Sequence, residues 1–251
     1  MKIVSWNVNS IRARLDSFAK LAELYQPDVI LLQETRVEDD KFPREYLEDF
    51  GYNVAIRGQK ARNGVAICSK MPLEEINSDF MNIVEFPEEA RYIEALTSGI
   101  FIASIYVPNG QEVDFPQYFY KLRFLHQLTE YLQKFKDQIF VLGGDFNVGP
   151  SPEDIYIKDY EGIAGSPRER EAVAKIRAAG FKDMLAGYGF TWWSYRQRDF
   201  KKNNGFRLDH FYMNQKTQQV FTKGKVLLDI RELERPSDHA PIMCEIEQNF
   251  R

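Results

Sequence analysis

Cysteine and histidine are scarce in this chain of 251 residues, which has two of the first and three of the second. Cys68 and Cys244 each sit inside an apolar, strand-like run, so they read as buried free thiols in a reducing compartment, not as a disulfide or a metal pair. No staple is needed, because a domain of this length can bury roughly 70–75% of its unfolded surface. Long hydrophobic runs are missing too: none approaches the ~18 residues of a membrane span. The opening Met1-Lys2-Ile3-Val4-Ser5-Trp6 already reads as a strand, with no signal or transit segment ahead of it. A cytoplasmic protein without membrane contact is therefore expected. Nor is there any excess of positive charge, since 33 Lys and Arg against 37 Asp and Glu leave a net charge of −4. That excludes an indiscriminate nucleic-acid coat but permits a local basic face, and an acidic total fits a carboxylate-rich metal site.

What is abundant is alternation between strand-like and helix-like segments. Lys2 to Asn9 is a β-rich run ending in polar amides. The spacing of Leu15, Phe18, Leu21, Ala22 and Tyr25 predicts a helix over Arg14 to Tyr25. Asp28 to Leu32 is a nearly continuous apolar strand of the kind found inside a sheet. A short helix over Arg44 to Phe50 should close at Gly51. Strands follow at Tyr52 to Ile56, Val65 to Ser69, Tyr92 to Leu96 and Ile100 to Tyr106, the last two joined through Thr97-Ser98-Gly99. Phe115 to Phe135 predicts a long amphipathic helix with Tyr118, Leu122, Leu125, Leu128 and Leu132 inward, leading into the strand Ile139 to Leu142. After the Gly149-Pro150-Ser151-Pro152 loop, Ser166-Pro167-Arg168-Glu169 has the N-cap, proline and N3 glutamate of a helix start, and that helix should stop at Gly180. Further strands are expected at Thr191 to Tyr195, Phe206 to Met213, Val226 to Ile230 and Pro241 to Glu247. No linker suggests a boundary, so residues 1–251 read as one α/β domain: two sheets face to face with helices outside.

Several of these strands finish on a polar group. Ligands bind at strand ends in α/β sheets, so such residues converging on one edge would form a site. In Gly143-Gly144-Asp145-Phe146-Asn147 the glycines leave room for close backbone approach. Alternation in extended backbone would aim Asp145 and Asn147 the same way with Phe146 turned to the core. A carboxylate there can orient or deprotonate a water, and an amide can donate to an anion; a plain turn is the competing reading. Glu34 follows a buried strand and is either a surface turn residue or a ligand for Mg²⁺, which favours one or two carboxylates plus waters and substrate oxygens. Asn7 and Asn9 suit a turn or helix cap as readily as a site, and Tyr106 could simply pack. Asp209 could fix the tautomer of His239 and favour its cationic form beside a phosphate, while Asp238 could join a metal shell. His126 lies on the long helix and His210 within a strand. Arg196-Gln197-Arg198 and Lys201-Lys202-Asn203-Asn204-Gly205 flank Trp192-Trp193, an interleaving that suits a nucleic-acid groove or a solvated basic loop.

Seven segments occur in one order: Ser5-Trp6-Asn7-Val8-Asn9-Ser10-Ile11-Arg12-Ala13, Leu32-Gln33-Glu34-Thr35, Tyr106-Val107-Pro108-Asn109-Gly110, Gly144-Asp145-Phe146-Asn147, Thr191-Trp192-Trp193-Ser194-Tyr195-Arg196, Arg207-Leu208-Asp209 and Ser237-Asp238-His239-Ala240-Pro241. Together they strongly resemble the exonuclease III family of abasic-site endonucleases, within the endonuclease/exonuclease/phosphatase superfamily. The resemblance runs from Lys2 to about Ile246. It implies a four-layer α/β sandwich of two mixed sheets flanked by helices. It also implies Mg²⁺-dependent cleavage 5′ to an abasic site, with Mn²⁺ able to substitute, and possible 3′-5′ exonuclease and 3′-end trimming. The implied partner is double-stranded DNA carrying abasic sites or blocked 3′ ends, and a monomer is expected.

By position, Glu34 would be the main metal ligand, with Asp238, Asn7, Asp145 and Asn147 in or near the metal shell. Asp145 would handle the attacking water and Asn147 the phosphate. Tyr106 and the His239-Asp209 pair would stabilise the charge and the leaving oxygen. Asn9, Asn109 and Arg207 would contact DNA, and Trp192, Phe206 and Leu208 would line a pocket for a base-less sugar. Ser10 stands where the family commonly has glycine, Phe206 where a larger aromatic often stands, and Gly149 to Gly165 does not clearly reproduce the family's DNA-contacting segment. Phosphatases and phosphodiesterases of the superfamily share the same core, and a non-catalytic DNA-binding module would need none of Glu34, Asp145 or His239.

Overall fold

A computed structural model describes residues 1–79, 89–156 and 164–247. The first half of the chain forms β1 (Lys2–Asn7), α1 (Leu15–Tyr25), β2 (Val29–Gln33), α2 (Arg44–Glu48), β3 (Asn53–Arg57), β4 (Val65–Ser69), β5 (Glu74–Asn77), β6 (Tyr92–Thr97), β7 (Ile100–Tyr106) and α3 (Pro116–Leu132). Then come β8 (Phe140–Asp145), α4 (Pro167–Ala178), β9 (Lys182–Asp183), α5 (Asp199–Lys202), β10 (Asp209–Met213), α6 (Gln215–Gln218), β11 (Phe221–Val226), α7 (Leu228–Arg231) and β12 (Ile242–Ile246).

The strands make two six-stranded sheets, ordered β11-β12-β1-β2-β4-β3 and β5-β6-β7-β8-β10-β9. Each sheet is mixed: β1 runs parallel to β2 and β7 parallel to β8, while the other pairs are antiparallel. Between the sheets lies an apolar layer that includes Ile3, Leu31, Ile67, Ile102, Val141 and Phe211. The outer face of the first sheet packs with Phe18 and Leu21 of α1, and that of the second with α3 and α4 through Leu125, Leu128, Val173 and Ile176. This is the helix–sheet–sheet–helix sandwich that the sequence implied.

β8 can lie deep in this stack because it is glycine-rich. A Cβ on Gly143 would sit 2.6 Å from Phe211 Cε1 and 2.7 Å from Leu31 Cδ1, and one on Gly144 would meet the Ile105 carbonyl oxygen at 2.0 Å. α4 starts as its sequence predicts: the Ser166 hydroxyl accepts from the Glu169 amide and the Glu169 carboxylate accepts from the Ser166 amide. A polar contact crosses the sheet interface near the site, Gln33 Nε2 of β2 donating to Ser104 Oγ of β7 at 2.9 Å.

Three expectations need correction. Thr191 to Tyr195 is not a ladder strand: Trp192 only bridges Phe206 and His239. The segment is held by its neighbours, since Trp193 N donates to the Asp238 carbonyl and Ala240 N to the Thr191 carbonyl. Val226 to Ile230 is not a strand either. Pairing ends at Val226, and buried Leu227 and Ile230 sit three apart, the spacing of the helical turn α7. The strand there is β11, an edge strand whose exposed lysines and central glycine give no apolar alternation. On α3 the buried stripe passes through Lys121, not Leu122. Among the described residues no helix is long and apolar enough to cross a membrane.

Candidate active site

The parallel strands β1, β2, β7 and β8 bring their C-terminal ends to one edge of the sandwich, delivering Asn7, Glu34, Tyr106 and Asp145 to a common cleft. β10 begins opposite the end of β8, with Asp209 in register with Asp145, and His239 arrives on the approach to β12. The cleft is a cavity of about 340 Å³ whose lining includes Glu34, Arg36, Tyr106, Asp145, Asp238 and His239. Asn9, Asn109, Asn147, Trp192, Phe206 and Leu208 line it as well.

At its floor Asp145 is 1% exposed. Its Oδ1 accepts from the Asn147 amide at 2.8 Å, and its Oδ2 accepts from Asn7 Nδ2 at 2.9 Å and lies 3.7 Å from His239 Nε2. Burial raises its carboxyl, His239 and the hydrogen bonds from Asn7 and Asn147 oppose that, Asp209 adds to it, and the result is about 7. His239 Nδ1 lies 2.8 Å from Asp209 Oδ2. Burial disfavours the imidazolium, but the flanking Asp209 and Asp145 outweigh it and raise His239 to about 10. The two flanking aspartates thus favour the cationic imidazole. Asp145, Asp209 and His239 place ligand-type atoms within 4.8 Å of one another. Their contacts are those of a hydrogen-bonded Asp–His–Asp chain, with Nδ1 already committed to Asp209, so this trio is a poor cation cage.

The oxygen donors that do suit a hard divalent cation lie beside it. Glu34 has a positive φ of 56°, which turns its side chain back into the cleft. Oε2 accepts from Asn7 Nδ2 at 3.0 Å, and Oε1 accepts from Arg36 Nε at 3.0 Å and pairs with Arg36 Nη2. Asp238 accepts from Asn9 Nδ2 at 2.9 Å and from Trp192 Nε1 at 3.0 Å. Burial would raise its carboxyl, but His239 and these two donors hold it below the usual range. Two carboxylates at one mouth of the cleft form a donor set of the kind Mg²⁺ takes. Asn7 stands beside the carboxylates: its Nδ2 links Glu34 and Asp145 and holds them in place, while its Oδ1 accepts from the Asn9 amide.

Asn147 does share a side with Asp145, but not through extended alternation. It has a φ of 51°, and the turn sends its Nδ2 to the Val107 carbonyl at 2.9 Å and its Oδ1 to Asn109 Nδ2 at 3.3 Å. Trp192 leans on Phe206 with centroids 5.2 Å apart, and with Leu208 they form the apolar wall. Tyr106 stands at the opposite side, its hydroxyl pushed far up by burial and by Glu34 and Asp145.

Arg207 does not reach the cleft. It is 3% exposed, with Nε 2.6 Å from Asp154 Oδ1, Nη2 3.0 Å from Asp154 Oδ2 and Nη1 2.6 Å from Asp183 Oδ2. His210 completes the network, its Nδ1 3.2 Å from Asp183 and its Nε2 donating to the Val148 carbonyl at 2.9 Å. The expected DNA contact is therefore a buried brace beneath Leu208 and Asp209. Arg36 was not among the expected site residues, and its place two residues beyond Glu34 was the available signal. Lys121 was missed as well. It is fully buried, pairs with Glu169, and donates to the Asn147 carbonyl at 2.7 Å and the Asn109 carbonyl at 3.2 Å. A lysine three residues after Tyr118 and four before Leu125, on the inward stripe of α3, was the mark it left in the sequence.

The model of the Endonuclease/Exonuclease/phosphatase family matches residues 4–239. Exodeoxyribonuclease III of Haemophilus influenzae is 34% identical over 270 residues, covering 98% of this chain and all of that protein. The DNA repair nuclease APEX1 of Danio rerio is 29% identical, covering 96% of this chain and 81% of that protein. Among solved structures, the 3′ phosphatase NExo from Neisseria, bound to product DNA hairpin, superposes with a TM-score of 0.94 at 34% identity over 98% of this chain and 99% of its own. An AP endonuclease from Archaeoglobus fulgidus gives a TM-score of 0.93 at 33% identity, with the same coverage of both chains.

Proposed function

The chain belongs to the endonuclease/exonuclease/phosphatase family, and on that premise we propose that it is a Mg²⁺-dependent DNA repair nuclease that cleaves the phosphodiester 5′ to an abasic site. The same centre would trim nucleotides or blocking phosphates from 3′ ends. The observation that carries this reading is the buried Asp145, held by Asn7 and Asn147 within 3.7 Å of His239, facing a cleft with carboxylates on one side and an apolar wall on the other.

Hydrolysis needs a positioned water, neutralisation of the non-bridging oxygens and a proton for the departing O3′. Asp145, raised to about 7, is matched to accept the proton of the attacking water near neutrality. As the water oxygen bonds to phosphorus, the P–O3′ bond breaks and the proton taken up by Asp145 is returned through solvent to O3′, leaving a 3′-hydroxyl on one fragment and a 5′-phosphate on the other. His239, cationic and oriented by Asp209, stabilises the charge on the phosphoryl oxygens, with Tyr106 donating from across the cleft. Asn147 and Asn109 position the phosphate. Glu34 and Asp238 would hold the divalent cation, which when bound supplies further neutralisation at phosphate oxygens. Trp192, Phe206 and Leu208 would accept a sugar without its base; extruding such a nucleotide costs less because its stacking is already lost. An intact nucleotide in the interior of a duplex is excluded by size.

The test is a duplex with one abasic site, incubated with Mg²⁺ or EDTA beside duplexes carrying a recessed 3′-hydroxyl or a 3′-phosphate. A nick on the 5′ side of the abasic site with Mg²⁺ and none with EDTA is expected. An abasic duplex left intact at stoichiometric enzyme while a 3′ end is processed would reassign the cleft to 3′-end chemistry.

A further inference from the structure

The basic and aromatic segment around Trp192-Trp193 is divided by the fold, and the cleft takes only part of it. Trp192 faces the cleft. Trp193 faces the other way, into a second cavity of about 750 Å³ whose lining includes Tyr195, Arg198, Phe200, Lys201, Asn203 and Arg231. None of these residues belongs to the site described above. Arg231 is the unusual member. It is 6% exposed, its Nε has no hydrogen-bond partner, and its Nη2 makes one long contact, 3.5 Å, to the Trp193 carbonyl. Among the described residues it forms no ion pair. Its guanidinium lies 4.8 Å from the Phe200 ring centroid and 5.5 Å from that of Tyr195.

A buried guanidinium without a counter-ion is costly, and guanidinium is the group best shaped for phosphate. Arg198 and Lys201 add two cations to the same cavity against the carboxylates of Asp199 and Glu232, so its charge is net positive. Tyr195, 55% exposed, offers a ring face on which a flat group can stack. We propose that this cavity is a second nucleotide site, distinct from the cleft, which takes a phosphate ester carrying a nucleobase. The phosphate lies against Arg231, Arg198 and Lys201, and the base stacks on Tyr195. Free nucleoside 5′-monophosphate and the phosphorylated end of a DNA strand share that chemistry.

The experiment titrates the full-length protein in EDTA, which keeps DNA intact, and follows binding by calorimetry. The probes are deoxyadenosine 5′-monophosphate, deoxyadenosine and a short undamaged 5′-phosphorylated duplex. Saturable binding of the monophosphate, with deoxyadenosine weaker by about tenfold or more as expected for a lost charge-assisted contact, is the predicted result. The double variant Arg198→Ser/Lys201→Ser, whose sites are on the cavity rim, should lower monophosphate affinity by about tenfold or more, and Arg231→Gln should do the same if it folds. Exposed Lys202, outside the lining, is the control: Lys202→Ser should leave binding unchanged. Displacement of the monophosphate by the duplex would assign the site to strand ends, and co-binding would assign it to free nucleotide. No saturable binding of either phosphorylated probe, or binding unaltered in the rim variant, overturns the proposal. Because no cleavage is read, the nuclease reading of the cleft can fail without affecting this result.

Discussion

At the scale of single residues, the mechanism proposed for the cleft separates groups that react from groups that hold them. Asp145→Asn removes the proposed proton acceptor but keeps the shape that Asn7 and Asn147 grip. We expect kcat to fall by about 10²–10⁴ with abasic-duplex binding retained, and His239→Ala to behave alike; steady-state rates beside gel-shift affinities will tell, and near-normal turnover in either variant removes that residue from its role. Ser10 has φ 84° and ψ 106°, a region that side chains other than glycine's rarely occupy. The strain of such a residue is about 1–3 kcal/mol, so Ser10→Gly should raise the melting temperature, and a lowered one would contradict it. That serine's departure from the family pattern was legible in the sequence, while its conformational cost was not. Legibility failed most clearly at Arg207. A charged residue next to a site reads as a ligand contact, and only the fold shows that Asp154 and Asp183, distant in sequence, enclose it. Asn147 shows the opposite case, since its direction was foreseen but arises from a left-handed turn that alternation does not describe.

At the scale of elements, the Arg207 brace ties β10 and β9 to the loop after β8. Burial would raise Asp183 and Asp154, but His210 and Arg207 for the first, and Arg207 for the second, hold both below the ordinary carboxylate range. A depressed folded value gives stability that is complete above about pH 4 and fades as the pH falls through the folded values. Asp183→Asn should therefore destabilise the protein at neutral pH by about 3–5 kcal/mol, the cost of breaking a buried pair. The gap from the parent should narrow on acidification. Urea melts at several pH values measure this, and a gap that widens toward acid would refute the assignment. Nine of the twelve strands were legible in the sequence, and apart from the edge strand β3 they are buried runs whose apolar residues admit few alternatives. The short or half-exposed β5, β9 and β11 are set by their partners instead, and 191–195 looks like a strand because it packs like one without joining a ladder.

At the scale of the whole molecule, the cleft's carboxylates are held by protein donors: Asn7 for Glu34 and Asp145, Asn9 and Trp192 for Asp238. The fold does not draw on a cation for its core. Chelation should abolish nicking while moving the melting temperature by no more than a few degrees, the effect of about 1 kcal/mol in a domain of this size. A collapse in EDTA would make the metal structural. The sandwich has one further property. Asn7, Glu34 and His239 belong to the first sheet and its approaches, whereas Tyr106, Asp145 and Asp209 belong to the second, and both the Asn7–Asp145 and His239–Asp209 hydrogen bonds span the gap. The distances across the cleft are therefore also a gauge of the spacing between the sheets. A methyl group added at Gly143, wedged against Phe211 and Leu31 from opposite layers, would pry the two halves of the chemistry apart without touching either.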